Sequence, residues 1–198
     1  MSTATVSTNA SNPHSAVAPP LVTIDQFLEM QFDGPVELVR GEIVELTRPD
    51  QSHGNVCAHV SFALMRWAYP QRLGQITTND SGIVTDPEPG TLRGADVAFF
   101  AASQLTNGKL PRGQVSLVPI LCVEVLSPSN TWSGMRRKID EYLSAGVREV
   151  WLVDPELRTV DRFRSDSGST LHRESQTLIS VELPGFAVPI TDFFAGVE

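Results

Sequence analysis

Two carboxylates stand inside apolar segments, where an unpaired acid is energetically costly. Glu124 lies within PILCVEVLS, and Asp96 lies within RGADVAFF. Strand alternation places Glu124 on the face of Cys122, and it places Asp96 opposite the face of Ala95 and Val97. A buried carboxylate needs an ion pair or a metal ion. A structural salt bridge would explain either acid alone, but two such acids on interior strands predict one shared acidic site.

A shared acidic site needs a cation, because two ionised carboxylates repel each other at short distance. Carboxylate oxygens are hard ligands, and they favour Mg²⁺ or Mn²⁺ over metals that prefer sulfur. The sequence therefore predicts that Asp96 and Glu124 bind Mg²⁺ (or Mn²⁺).

Two further charged residues flank this predicted site. Lys138 lies on the helix that follows the strand of Glu124, where its ammonium can reach back and stabilise charge on a phosphoryl oxygen. The alternative is that the run MRRK belongs to a solvated helix face. Glu37, at the start of the first strand, would complete the cation's ligand set or orient Lys138, or it is a surface acid.

A histidine and a group of cations are weaker candidates. His53 opens the second helix and could face a substrate phosphate, but a helix-capping or solvent-facing histidine is the favoured interpretation. The cations near the predicted site would form a local patch that holds a nucleic-acid backbone. They are Arg93, Arg112, Arg136, Arg137 and Lys138.

The elements that must position these residues follow from hydrophobic periodicity and turn residues. The capping-box spacing of Thr23 and Gln26 predicts a short first helix. Further helices are predicted over residues 56–67, 132–145 and 190–194. Strands are predicted over residues 37–46 with a turn at Gly41, and over 75–78, 82–85, 93–99, 119–126, 149–153, 159–164 and 170–173.

The order of these elements predicts an α+β (mixed α/β) fold. The strand–helix–strand unit over residues 121–153 should place two parallel strands side by side with a right-handed crossover. The expected architecture is a mixed central β-sheet with a helix on each face and additional β-hairpins. Residues 1–20 carry no charged side chain and are predicted to form a flexible tail, and residues 21–198 a single domain.

Composition limits the partners and the setting. The chain of 198 residues has 15 basic and 23 acidic side chains, a net charge of −8, which excludes a general nucleic-acid coat. Two cysteines, Cys57 and Cys122, are too few for a disulfide framework, and both are predicted to be small buried thiols. No membrane span or secretory signal is visible, so a reduced, cytoplasmic setting is expected.

From about residue 21 to residue 194 the chain resembles the Uma-type (“Uma-two”) restriction endonucleases of the PD-(D/E)XK nuclease superfamily. The matching stretches are VELVRGEIVEL, the helix of His53, RGADVAFF, VEVLSPSN, RKIDEYLSAGVREVWLVDP and LPGF. The resemblance implies a restriction-endonuclease-like core and an Mg²⁺-dependent phosphodiesterase site. In that site Asp96 would be the motif aspartate, Glu124 the motif acid and Lys138 the motif lysine, supplied from a helix. Glu37 would match an acid near the first helix and strand.

Two positions depart from the family pattern. Ala95 stands where proline usually precedes the aspartate, and Leu126 stands where the strand lysine would be. Activity would therefore depend on Lys138 reaching the acids. We expect an Mg²⁺-dependent endonuclease that acts on DNA, and a homodimer, because cleavage of both strands often requires two active sites. The alternatives are a catalytically weak nuclease-fold binding or assembly module, which Leu126 favours, and a hydrolase of another phosphodiester.

Overall fold

The computed structural model describes residues 20–113 and 115–197 of the chain. The predicted flexible tail lies, except for Pro20, outside these residues. The helices are α1 (Ile24–Glu29), α2 (Gln51–Ala68) and α3 (Trp132–Ser144), with 3₁₀ helices over Ala102–Gln104 and Ile190–Phe194. The strands are β1 (Val36–Val39), β2 (Glu42–Glu45), β3 (Gly74–Asp86), β4 (Thr91–Ala101), β5 (Leu121–Val125), β6 (Glu149–Asp154), β7 (Thr159–Arg164), β8 (Gly168–Arg173), β9 (Thr177–Ile179) and β10 (Ala187–Pro189).

Eight of these strands form one mixed sheet. Its order is β2-β1-β4-β5-β6-β7-β8, and β3 pairs with β4. Strands β5 and β6 are parallel and are connected through α3, as predicted, whereas the other pairs of this sheet are antiparallel. Strands β9 and β10 form a separate antiparallel hairpin. The predicted mixed α/β fold is confirmed.

Helices α2 and α3 cover opposite faces of the sheet, because alternate residues of the central strands are apolar on both sides. Leu121 and Val123 of β5 pack in the core beneath α2, whereas Cys122 packs in the core beneath α3. Each apolar side chain buried in this way contributes about 1.5–3 kcal/mol. The helix residues that reach the sheet recur at helical spacing: Val56, Val60 and Leu64 on α2, and Met135, Ile139 and Tyr142 on α3.

The two predicted strands over residues 75–78 and 82–85 are one long strand, β3. Asn79 and Asp80 both adopt a positive φ, of 64° and 53°, at a register shift against β4. This bulge takes up one extra residue, because Asn79 and Asp80 together lie opposite Asp96, and the strand continues beyond it. The predicted interruption is therefore a bulge and not a chain reversal.

The alternation predicted for β4 holds for part of the strand. Val97 and Phe99 pack beneath α2, and Ala98 packs beneath α3, as expected. Ala95 was predicted to share the face of Val97, but it packs in the core beneath α3. This change of face at Ala95 lies opposite the bulge of β3. A bulge increases the local twist of the paired strands, and the added twist accounts for the change.

Strand β4 shares one of its two edges between two partners. Strand β3 pairs along most of one edge, so β1, at Leu92, and β5, at residues 97–99, both use the other edge. Between these two partners, residues 93–96 have no strand partner on that edge among the described pairs. Buried backbone groups in this gap need hydrogen-bond partners other than a neighbouring strand.

Candidate active site

The gap in the β4 edge is closed by two charged side chains. The Gly94 N–H donates to Oε1 of Glu37, on β1, over 3.0 Å. Nζ of Lys138, on α3, donates to the Gly94 carbonyl oxygen over 2.8 Å. Side chains from a strand and a helix thus replace the missing ladder bonds, and this fixes both groups relative to β4.

Lys138 also reaches both nearby acids. Its Nζ lies 2.9 Å from Oε2 of Glu124 and 3.0 Å from Oε1 of Glu37, and 13% of its side chain is exposed. Burial alone would lower the pKa of Lys138, but the charges of the two carboxylates raise it above its usual value. The side chain is therefore a largely buried ammonium and does not belong to a solvated helix face.

Glu124 is held by α3 at both carboxylate oxygens. In addition to the Lys138 contact, Oη of Tyr142 donates to Oε1 of Glu124 over 2.8 Å. Lys138 and Tyr142 are one helical turn apart and therefore lie on the same face of α3. Burial raises the pKa of Glu124 to about 8, while the Lys138 ammonium opposes this rise and Asp96 adds to it.

Glu37 lies between two cations. Its Oε2 accepts from Nη1 of Arg93 over 2.7 Å, and Nε of Arg93 donates to Glu141 over 2.6 Å. Burial would raise the pKa of Glu37, but the charges of Lys138 and Arg93 hold it below its usual value. A chain of ion pairs therefore links Glu141, Arg93, Glu37, Lys138 and Glu124.

Two of the five cations of the predicted basic patch are used inside the site. Arg93 is buried, and its guanidinium and the Lys138 ammonium are both used in the internal ion pairs. The Arg136 guanidinium lies over the ring of Phe163, 5.3 Å from its centre. Because the charges of Arg93 and Lys138 are neutralised inside the site, fewer cations remain to contact a phosphate backbone than the five predicted from the sequence.

Asp96 is positioned by β5 and α2. Its Oδ2 accepts the Val125 N–H over 2.7 Å and lies 3.3 Å from Nε2 of His53. The favoured interpretation of His53 as a capping or solvent-facing residue is wrong for the imidazole, because the residue is buried. Asp50 is the cap, since its Oδ1 accepts the His53 N–H. Burial would lower the pKa of His53, but the Asp96 carboxylate raises it.

Cys57 lies one helical turn after His53, with its Sγ 3.5 Å from Nδ1 of the imidazole. It was predicted to be a buried thiol, but it is partly exposed, whereas Cys122 is fully buried. Both cysteines are free. Burial raises the pKa of the Cys57 thiol, and the charge of Asp96 raises it further.

Asp80 is a site residue that the sequence analysis missed. It lies in the β3 bulge and lines the same cavity as Asp96 and Glu124. Burial and the charge of Asp96 raise the pKa of Asp80. The signal was present as the polar run NDSG, but such residues are equally typical of a turn.

Most of the charged residues described above line one open cavity of about 370 Å³. Its carboxylates outnumber its lysine and arginine side chains, so the cavity has an excess of hard oxygen donors. This donor set fits a divalent cation such as Mg²⁺. The charged and polar residues in its wall include Glu37, His53, Asp80, Arg93, Asp96, Glu124, Ser127, Asn130 and Lys138.

The Uma2 family, described as “Putative restriction endonuclease”, matches residues 24–191. The chain belongs to this family. A solved structure from Anabaena variabilis ATCC 29413, described as a putative nuclease belonging to DUF820, has the same fold. It superposes with a TM-score of 0.75 at 22% identity, over 87% of this chain and 97% of that one. No curated protein matches this chain.

In this Uma2 protein, both residues that depart from the family pattern, Ala95 and Leu126, pack in or against the core beneath α3. Leu126 is partly buried and packs against the core beneath α3, where a lysine would contact apolar side chains. Lys138 brings its ammonium to Glu124 from the helix instead. Ala95 is buried in the same core as Leu126. No helix within the described ranges of the protein is long and apolar enough to cross a membrane.

Gly94 is required by the close approach of β3 to β4 at the site. A Cβ there would lie 2.7 Å from Cβ of Asp80 and 2.8 Å from its carbonyl oxygen. We expect Gly94→Ala to lower the free energy of unfolding by about 1–3 kcal/mol, since backbone must move. Urea denaturation measures this change.

Gly54 provides a matched control for that substitution. It lies in α2 with nothing within 4 Å of an added Cβ, so Gly54→Ala should stabilise the protein by about 0.5–1 kcal/mol. Equal effects of the two alanines would contradict the steric explanation.

Proposed function

We propose that this protein is an Mg²⁺-dependent endonuclease that hydrolyses phosphodiester bonds in DNA. The observation that best supports the proposal is the contact of 2.9 Å between the Lys138 ammonium and Glu124, in a cavity that Asp96 also lines. Membership of a family described as “Putative restriction endonuclease” supports the reaction class. The reactive site would consist of Asp96, Glu124 and Lys138. Glu37 would support it through its contact with Lys138.

Asp96 and Glu124 would hold the Mg²⁺ (or Mn²⁺), and Asp80 offers a further carboxylate in the same cavity. When bound, the ion would activate a water molecule and offset charge on the phosphoryl group. The Val125 N–H holds one oxygen of Asp96, so the carboxylate has a fixed orientation toward the cavity. Such fixed ligands reduce the reorganisation that binding requires.

Lys138 would place a positive charge next to the reacting phosphoryl group. Its Nζ is held by two carboxylates and by the Gly94 carbonyl oxygen, so it is already oriented before the substrate binds. Glu37 would act as a positioning residue, because its oxygens are bonded to Lys138, Arg93 and the Gly94 N–H. These contacts favour a role of Glu37 in orienting Lys138 over a role as a ligand of the ion.

The alternative function is a catalytically weak binding or assembly module. It is supported by Leu126, which stands where the strand lysine would be. The approach of Lys138 to Glu124 supports an active enzyme instead, because the cation is supplied from α3. Because the net charge is −8, contact with an anionic backbone needs a local basic patch or a bridging cation at the site. A cavity rich in carboxylates is consistent with that requirement.

Nicking of supercoiled plasmid DNA tests the proposal. The wild-type protein should cut with Mg²⁺ and stop cutting in excess EDTA, and Glu124→Gln should lower the rate on the order of 100–1,000-fold. Glutamine keeps the size of the side chain but removes the charge. Glu29→Gln, on an exposed position at the end of α1, is the control and should cut normally. Undiminished cutting by Glu124→Gln would exclude the proposed site.

Binding of Mg²⁺ should release protons at neutral pH. Because burial raises the pKa of Glu124, the ion must displace a proton from the fraction of molecules in which that carboxyl group is still protonated. The apparent Mg²⁺ affinity should therefore increase as the pH rises toward 8, by up to about tenfold per pH unit. Calorimetric titration at pH 7 in two buffers of different ionisation enthalpy measures the release. Identical heats in both buffers would show that Glu124 is already ionised.

A further inference from the structure

Helix α2 presents a nitrogen and a sulfur donor to the catalytic aspartate. His53 and Cys57 are one helical turn apart, and the imidazole lies between the Cys57 thiol and the Asp96 carboxylate. One donor atom from each of the three residues lies within 4.8 Å of the other two. This set differs from the carboxylates proposed for Mg²⁺, because it includes a soft sulfur and a borderline nitrogen ligand.

The three donor groups lie within reach of one tetrahedral ion once the imidazole turns. A Zn²⁺ with bonds of about 2.3 Å to sulfur and about 2.0–2.1 Å to nitrogen and oxygen separates its ligands by about 3.4–3.6 Å. The Cys57 sulfur lies 3.5 Å from Nδ1 of His53, and Asp96 lies 3.3 Å from Nε2. Since these contacts use different ring nitrogens, the imidazole must turn so that a single nitrogen faces the ion.

We propose that His53, Cys57 and Asp96 form a second cation site, which takes Zn²⁺ or Co²⁺ in preference to Mg²⁺. Thiolate and imidazole favour these ions, whereas Mg²⁺ prefers oxygen ligands throughout. The site shares Asp96 with the proposed Mg²⁺ site, so Zn²⁺ would inhibit cleavage by withdrawing that carboxylate. The inhibition rests on the proposed function, whereas binding of Zn²⁺ does not.

The binding step is a simple exchange of a proton for a metal ion. The Cys57 thiol loses its proton to the solvent and its sulfur forms a bond to the metal, while neutral His53 and ionised Asp96 each donate one electron pair. No oxidation or reduction takes place. Three protein ligands leave a fourth tetrahedral position for water.

Titration of the full chain with Co²⁺ tests the site without any activity measurement. A thiolate bound to Co²⁺ gives a near-ultraviolet charge-transfer band, and Zn²⁺ should bleach the band by replacing Co²⁺. Cys57→Ser should lose the band and weaken Zn²⁺ binding by at least about tenfold, a loss that removal of even an outer-shell partner can cause. Cys122→Ala, which removes the fully buried thiol in the core beneath α3, should keep the band.

His53→Gln provides a second variant that leaves the thiol in place. It should also weaken Zn²⁺ binding, whereas His59→Gln, two residues beyond Cys57 on the same helix, should not. Absence of the band in the wild type, or its persistence in Cys57→Ser, would overturn the proposal. A band that depends on Cys57 supports the site even if the protein cleaves no DNA, so the two proposals fail separately.

Discussion

Replacement of Lys138 by methionine is expected to lower the free energy of unfolding by about 3–5 kcal/mol and to abolish Mg²⁺-dependent cleavage. Methionine keeps most of the apolar stem but leaves Glu37 and Glu124 buried without the cation that both contact. The Gly94 carbonyl oxygen also loses its donor. Urea denaturation measures the stability, and plasmid nicking measures the activity.

The stability loss in Lys138→Met should shrink as the pH is lowered. Without the ammonium, the pKa of Glu37 loses a charge that holds it below its usual value, and the pKa of Glu124, already raised by burial, rises further. The penalty therefore grows as the pH rises above the unfolded value near 4.5 and fades below it. Arg137→Met removes an exposed positive charge from the next position of α3 and should change the stability by less than about 0.5 kcal/mol. Equal effects of the two substitutions would show that the buried network contributes no stability.

The sequence predicted the helices and central strands because their apolar residues repeat with the period of each element. Helix α3 has one apolar stripe, and β5 is apolar on both faces because two helices cover it. The sequence did not predict the continuity of β3, since Asn79 and Asp80 have the same composition in a bulge as in a turn. The geometry there depends on β4, which lies next to β3 in space.

For the site, the sequence could identify costly residues but not their partners. The sequence identified Asp96 and Glu124 because an ionised carboxylate inside an apolar strand is energetically costly unless it is paired or bound to a metal ion. Tyr142 belongs to the apolar stripe of α3, and Arg93 was predicted to help hold a nucleic-acid backbone. Their roles depend on contacts across 18 and 56 residues of sequence, to Glu124 and to Glu37. A local pattern carries no information about such distant contacts.

The position of His53 shows the same limit. A histidine in the first turn of α2 is exposed by default, because the helix end points toward solvent. The imidazole is buried because β4 brings Asp96 within 3.3 Å of it. The aspartate thus determines the environment of a residue 43 positions earlier, and the strand–helix packing that joins them is visible only in three dimensions.

Asp96→Asn is expected to remove Mg²⁺ binding and to lower the cleavage rate by about 1,000-fold or more while the fold is retained. Asparagine keeps an oxygen that can accept the Val125 N–H, so the contact between β4 and β5 survives and the lost charge is the main change. Calorimetric titration with Mg²⁺ measures the binding, plasmid nicking the rate and thermal denaturation the fold.

The matched control for Asp96→Asn is Asp140→Asn, which neutralises an exposed carboxylate on α3 and should leave Mg²⁺ binding and cleavage unchanged. Loss of activity in Asp96→Asn with Mg²⁺ binding intact would assign the aspartate a role in orienting His53 instead of the ion, because the two groups are in contact. Unchanged binding and cleavage together would remove Asp96 from the site. The distinction matters because Asp96 is the one carboxylate that the proposed Mg²⁺ and Zn²⁺ sites share, so its loss should weaken the binding of both ions.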